Sequence, residues 1–191
     1  MKIEIKHKYS GSVLFSLETK NIRLAVEAAI KSSANLRYAD LSSADLRYAD
    51  LRSADLSYAN LSYAKGINKY LANDLYLLLE QTGDIRAYKL VNSNNEGTYN
   101  GGITYIIGEN YSVDDFNSDE NDECGSGINL ATLAWCLRYW QNGYKILVAE
   151  FTKKDIVCIP ISSDGKFRVK ACKIIKEIPK YKYGKLPKEA K

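Results

Sequence analysis

The chain has 191 residues, 46% apolar and 26% charged, with a formal net charge of +4, which excludes a disordered tail and fits one large domain or two small ones. The longest charge-free apolar run, 128–137, is half of a bilayer span, and Met1, Lys2, Glu4 and Lys6 leave no apolar leader, so neither membrane insertion nor secretion is expected and the chain is read as cytoplasmic. Its four cysteines show no CxxC spacing and are read as thiols, and the single histidine, His7, excludes a multi-histidine metal site. No metal and no cofactor is expected.

In chain order, Ile3, Ile5, His7 and Tyr9 alternate, Ser10-Gly11 signals a turn, and Val13, Phe15 and Leu17 alternate again, which predicts a hairpin. His7 lies on the alternating face and reads as a packed or half-exposed strand histidine, not a catalytic one. Residues 21–31 then favour a helix, with Ile22, Val26, Ala29 and Ile30 on one face. Hairpin and helix make residues 1–33 an N-terminal cap.

From Ala34 the period is five: Ala34-Asn35-Leu36-Arg37-Tyr38, Ala39-Asp40-Leu41-Ser42-Ser43, and four further units ending at Tyr63. Ala recurs at 34, 39, 44, 49, 54 and 59, Leu two residues later, and Asn or Asp always stands between them. Neither a helical nor a strand period produces this pattern. The segment 34–66 resembles the pentapeptide-repeat proteins. That resemblance implies a right-handed quadrilateral β-helix, four units to a coil, with Leu36, Leu41, Leu46, Leu51, Leu56 and Leu61 as an inward ladder and the alanines as their small partners. Coils repeating every twenty residues then set Tyr38 over Tyr58, Asp40 over Asn60 and Asp45 over Lys65, with Tyr48 on the opposite side. Arg37, Tyr38, Tyr48, Tyr58 and Tyr63 are the candidate protein-binding residues, because aromatic rings and Arg dominate protein interfaces. Stacked tyrosines that only stiffen the wall are the competing reading. One subgroup of the family mimics duplex DNA toward type II topoisomerases, a role for which these repeats are too short and too neutral. About one and a half coils bury little, so a second cap is expected downstream over 67–83, where 70–81 reads as a helix carrying Leu71, Leu75, Leu78 and Leu79 and closed by Gly83.

From Asp84 the five-residue phase is gone, and 84–178 reads as a small α+β domain. Strands are predicted at 85–91, 102–108, 145–151, 155–161 and 167–175, the last two joined by a Ser163-Asp164-Gly165 hairpin turn. Between them Asn129 is placed as the cap of a helix running to Gln141, with Leu130, Leu133, Leu137 and Trp140 facing one way. The stretches 85–90, Cys124 to Asn129, 146–151 and 164–169 resemble an uncharacterised domain that accompanies short pentapeptide repeats in phage and prophage proteins. In related sequences the Gly-Ile turn is often followed by His, where this chain has Asn129.

Three residues here are weak catalytic candidates. Cys124 precedes a glycine turn and a predicted helix, a setting that favours a thiolate or a bound anion, yet no His or Lys stands nearby in sequence to activate it. Arg86 as nucleotide anchor and Glu150 as acid would suit ADP-ribosyl transfer, although Glu150 also reads as a solvent-facing strand residue. The seven carboxylates of 109–123 lack the glycine and bidentate Glu of a calcium loop and read as a solvated acidic loop facing the basic end, where 166–191 holds ten Lys or Arg and 179–191 forms a tail with Tyr181 and Tyr183. By segment the net charge is +3 over 1–33, 0 over 34–66, −8 over 67–123 and +9 over 124–191. Such opposed poles suit self-pairing, so a homodimer is expected and nucleic-acid binding is not. The leading expectation is a mixed fold acting as a non-enzymatic protein-binding module of a phage or prophage, in the bacterial host cytoplasm, that inhibits a host enzyme or defence complex. The alternative is a small nucleotide-acting enzyme in the C-terminal domain.

Overall fold

The computed structural model describes residues 1–98 and 102–179; the basic tail from 180 on, with Tyr181 and Tyr183, lies outside them. The described residues divide into two compact units, one of residues 1–76 with 160–164, the other of 77–159 with 165–179. Strands and short antiparallel sheets dominate, with three α-helices among the described residues.

In the first unit β1 (Lys2–His7) pairs antiparallel with β2 (Val13–Glu18) and, on its other edge, with the two-residue β3 (Ala39–Asp40). Helix α1 (Ile22–Lys31) starts where the Asn21 side chain accepts from Leu24 N–H and buries Ala25, Val26 and Ala29. The repeats owe their shape to two local bonds per unit. The Asn or Asp oxygen accepts the backbone N–H two residues on, from Asn35 to Arg37, Asp40 to Ser42, and so on through Asn60 to Ser62. The Ala N–H of each following unit bonds back to the preceding Leu carbonyl, as Ala39 to Leu36 and Ala64 to Leu61. Between them Tyr38, Ser43, Tyr48, Ser53, Tyr58 and Tyr63 take left-handed backbone angles, φ from 58 to 66°, which side chains other than glycine rarely accept. The Asx bond and the closed turn hold this conformation in place.

Successive lengths of the repeat run parallel at an offset of twenty residues, with bridges Asp40 to Asn60 and Asp45 to Lys65. Leu41, Ser43 and Leu46 donate to the carbonyls of Asn60, Ser62 and Lys65. All six ladder leucines are buried, and with α1 and Ile5 they form the core of this unit; each contributes about 1.5–3 kcal/mol by leaving water. Gly66 ends the repeat because a Cβ there would fall 2.3 Å from the Arg47 backbone, a close approach that glycine alone accepts. Downstream, the helix expected over 70–81 is broken. A short α2 (Lys69–Ala72) gives way to a 3-10 stretch, Asp74–Glu80, because Asn73 is extended and buried, accepting from Leu75 N–H and donating to the Pro160 carbonyl at 2.8 Å. Residues 160–164 complete this unit: the Ser162 carbonyl accepts from Tyr58 N–H, continuing the pattern by which Ser57 accepts from Tyr38, and Ile161 packs on the leucine core.

The second unit is a seven-stranded antiparallel sheet. Its strands are β4 (Ile85–Val91), β5 (Asn110–Ser112), β6 (Ile128–Ala131), β7 (Lys145–Phe151), β8 (Ile156–Cys158), β9 (Lys166–Val169) and β10 (Ala171–Glu177), in the order β5-β10-β7-β4-β6-β9-β8. Asn129 does not cap a helix: it lies within β6, whose four residues pair fully with β9, and α3 (Leu133–Arg138) starts at Thr132, whose Oγ1 accepts from Trp135 N–H. Burial of Ile128, Leu130 and Ala131 wins over the capping signal. The segment 102–108 forms only a bridge from Thr104 to Glu96. The strand expected over 155–161 shrinks to β8, since 160–164 go to the first unit, and that expected over 167–175 splits at Lys170 into β9 and β10. No helix among the described residues is long and apolar enough to cross a membrane.

Candidate functional site

Each unit brings a different set of side chains together. In the first, the left-handed positions project the tyrosines. Tyr38 and Tyr58 stack at 4.8 Å with planes 10° apart, and His7 stacks on Tyr38 at 5.4 Å with Tyr9 beside both. His7 Nδ1 also accepts the N–H groups of Tyr9 and Ser10, so the imidazole organises the hairpin turn. The Arg37 guanidinium lies 5.2 Å from the Tyr58 ring and 3.4 Å from Asp55, and the Tyr58 hydroxyl donates to Asp164 at 2.8 Å. Tyr38 and Tyr58 are therefore half-buried members of an aromatic column. Tyr48 and Tyr63 differ, with 93% and 86% of their surface in solvent. Beside Tyr48, Arg47 forks onto Asp45 at 2.6 and 2.9 Å, and Arg52 does the same to Asp50 at 2.7 and 2.8 Å. Hydrogen bonds from these guanidinium groups hold both carboxyls down at about 2.

In the second unit the three weak catalytic candidates do not converge on one another's chemistry. Arg86 and Glu150 are cross-strand partners on β4 and β7, joined at 2.9 Å through both Nε and Nη2. Cys124 instead lies at a cavity with Lys89, Asn129, Trp135 and Lys166. Lys166 Nζ donates to Cys124 Sγ at 3.0 Å across 42 residues of sequence, supplying the basic neighbour that no residue adjacent in sequence provides. Lys89 is buried and its Nζ donates to the Asn129 carbonyl at 2.9 Å. Burial pushes its ammonium down to about 8, with the positive Lys166 adding to the effect. Burial also pushes the thiols of Cys136 and Cys172 up, to about 12 and about 11. Cys124 alone of the four cysteines is exposed.

The acidic loop is not simply a solvated stretch facing the basic end. Its carbonyls at Asn117, Asp119 and Asp122 converge on the fully buried Arg168, accepting at 2.8, 2.8 and 2.6 Å, and Arg168 also donates to Cys158 Sγ at 3.0 Å. No group of three or more His, Cys, Asp or Glu among the described residues is arranged to hold a metal ion. Sequence reasoning missed Lys89, Lys166 and Arg168. The signal was present in Lys166-Phe167-Arg168-Val169, where cations alternate with large apolar residues in a strand whose four residues are all buried, but it reads equally as the start of a basic tail.

Residues 34–65 match the family described as pentapeptide repeats (8 copies), so this segment carries pentapeptide repeats. No curated protein and no solved structure matches the chain.

Proposed function

We propose that the chain is a non-enzymatic protein-binding module of a phage or prophage, acting in the bacterial cytoplasm as a homodimer to inhibit a host enzyme or defence complex. In this reading 34–66 wind as a short right-handed quadrilateral β-helix with helical caps. Support comes from the twenty-residue parallel offset, which is four units of five, and from the left-handed turn that closes each unit. The observation that carries the binding role is the exposure of Tyr48 and Tyr63, large amphipathic rings with nearly all of their surface in solvent on a frame whose other tyrosines are used internally. Arg47, beside Tyr48, adds a guanidinium already oriented by Asp45, the pairing of residue types that anchors protein interfaces. The Arg86–Glu150 pair gives a nucleotide-acting enzyme no support, because each charge is already met by the other.

The test captures partners from a bacterial lysate on immobilised wild type, identifies the protein retained, and measures its affinity for single variants. Tyr48 and Tyr63 are fifteen residues apart and so on different corners, which makes Tyr48→Ser and Tyr63→Ser separate probes. Ser already occupies the equivalent left-handed positions 43 and 53, so both variants should fold. Loss of an aromatic anchor costs about 2 kcal/mol or more, so one of the two should weaken binding about thirtyfold while the melting temperature stays. Unchanged affinity in both would remove the repeat wall as the binding surface.

A further inference from the structure

A cleft of about 560 Å³ in the second unit is lined by Lys89, Ile103, Tyr105, Val113, Asp114 and Asp115 among others. Two of these side chains are buried with polar capacity left over. Lys89 is 6% exposed, and of the three N–H donors of its ammonium the Asn129 main-chain carbonyl takes one. The Tyr105 ring lies 5.0 Å away, so at least one donor has no acceptor among the described residues. Tyr105 is 3% exposed, and its hydroxyl has no hydrogen-bond partner among the described residues. The neighbouring Tyr111, packed on that ring at 4.9 Å, has its own hydroxyl engaged by Ile106 N–H and the Thr104 carbonyl. At the rim the sign of charge reverses. Asp114 and Asp115 are exposed, and neither carboxylate is in an ion pair or hydrogen bond among the described residues.

We infer that this cleft binds a small free amino acid whose carboxylate and ammonium are separated by an apolar stem: Lys89 and the Tyr105 hydroxyl donate to the carboxylate, the stem lies along Ile103 and Val113, and Asp114 and Asp115 receive the ammonium. The site is in the second unit and uses none of the repeat tyrosines, so it goes beyond the binding role proposed above.

Each end of the ligand answers a need of the site. Burial already presses on the Lys89 ammonium, and a carboxylate beside it relieves that pressure while giving the Tyr105 hydroxyl an acceptor. A ligand with only an acid group meets two unpaired carboxylates at the rim, and one with only an amine meets the ammonium inside, so each half alone is disfavoured. The cation is buried and the carboxylates are exposed, which sets the two charges at different depths. An α-amino acid, whose charged groups share one carbon, does not span them.

The full chain should be titrated near neutral pH by calorimetry with ε-aminocaproate and three relatives. These are its isomer norleucine, which has both charges on one carbon, N-acetyl-ε-aminocaproate, which lacks the cation, and hexylamine, which lacks the carboxylate. ε-Aminocaproate is expected to bind about tenfold or more tighter than each of the others. Its occupancy should slow alkylation of Cys124, which lines the cleft and alone of the four cysteines is exposed. Tyr105→Phe removes a hydroxyl with no partner to lose, so the melting temperature should hold while affinity falls about tenfold; a merely structural tyrosine would leave affinity unchanged. Replacing Asp114 and Asp115 together by Asn, at exposed positions, should abolish the preference over the N-acetyl compound, and Lys89→Met the preference over hexylamine. No saturable binding of ε-aminocaproate, equal binding of any of its three relatives, or full affinity in Tyr105→Phe would overturn the inference. Should Lys89→Met fail to fold, the wild-type ratios and the other two variants decide the matter.

Discussion

Arg168→Met isolates what a buried guanidinium does for the acidic loop. The side chain is 0% exposed and donates to the carbonyls of Asn117, Asp119 and Asp122 and to Cys158 Sγ. Met keeps the length and apolar stem and removes every donor. The Asp119 carbonyl keeps the Asp122 N–H and the Cys158 thiol as donors, whereas those of Asn117 and Asp122 lose the guanidinium, at a cost of about 1–3 kcal/mol each, so roughly 2–6 kcal/mol if both stay buried. Two effects reduce this. Asn117 and Asp122 are only half-buried, so water reaches these groups once the loop lifts, and losing the desolvated charge itself returns several kcal/mol. The net is a local opening worth about 2–3 kcal/mol, or a 30- to 150-fold loss of amide protection over 117–124. Hydrogen exchange resolved by residue measures it. The amides of Asn117, bonded to Ser126, and of Cys124, bonded to the Asp122 side chain, are the reporters. The leucine core of the other unit serves as control and should not change. Arg168→Lys should recover part of the protection, because one ammonium cannot serve three carbonyls in the fork geometry of a guanidinium. Full protection in Arg168→Met would refute the claim that this residue holds the loop.

Two further outcomes test the repeat. Leu46 is 0% exposed in the ladder, so Leu46→Ala should cost about 2–5 kcal/mol in chemical denaturation, and a loss below about 1 kcal/mol would argue against a packed ladder. Ser53 has φ 66° and is exposed. Ser53→Gly should therefore stabilise by about 0.5–1 kcal/mol through relief of the left-handed strain, whereas Ser42→Gly, at a position with no positive φ, should destabilise by a similar amount; two changes of the same sign would show that the turn conformation is not what limits these positions.

The contrast between the two units shows what a single sequence can reveal. Within the repeat, Leu36 to Leu61, the Tyr38–Tyr58 stack and the Asp40–Asn60 and Asp45–Lys65 bridges all derive from a period of five and an offset of twenty. Each unit there is closed by bonds two and three residues long, and equivalent residues meet their own kind one turn later. Even there the recurrent Asn or Asp had a local role, accepting the N–H two residues on, that its recurrence alone did not name. Elsewhere the deciding contacts are unique and distant. Asn73 breaks a helix because it meets Pro160, 87 residues away. Arg168 is buried because carbonyls 46 to 51 residues earlier surround it, and Cys124 gains a basic neighbour 42 residues later. Periodicity cannot anticipate a pairing that occurs once. It can still locate the strain such pairings answer: a strand that alternates Lys and Arg with Phe and Val must either expose its apolar residues or bury its cations. In β9 both faces are buried, and the acceptors that make this tolerable at Arg168 are backbone carbonyls and sulfur. Lys89 on β4 is met in the same way, by the carbonyl of Asn129.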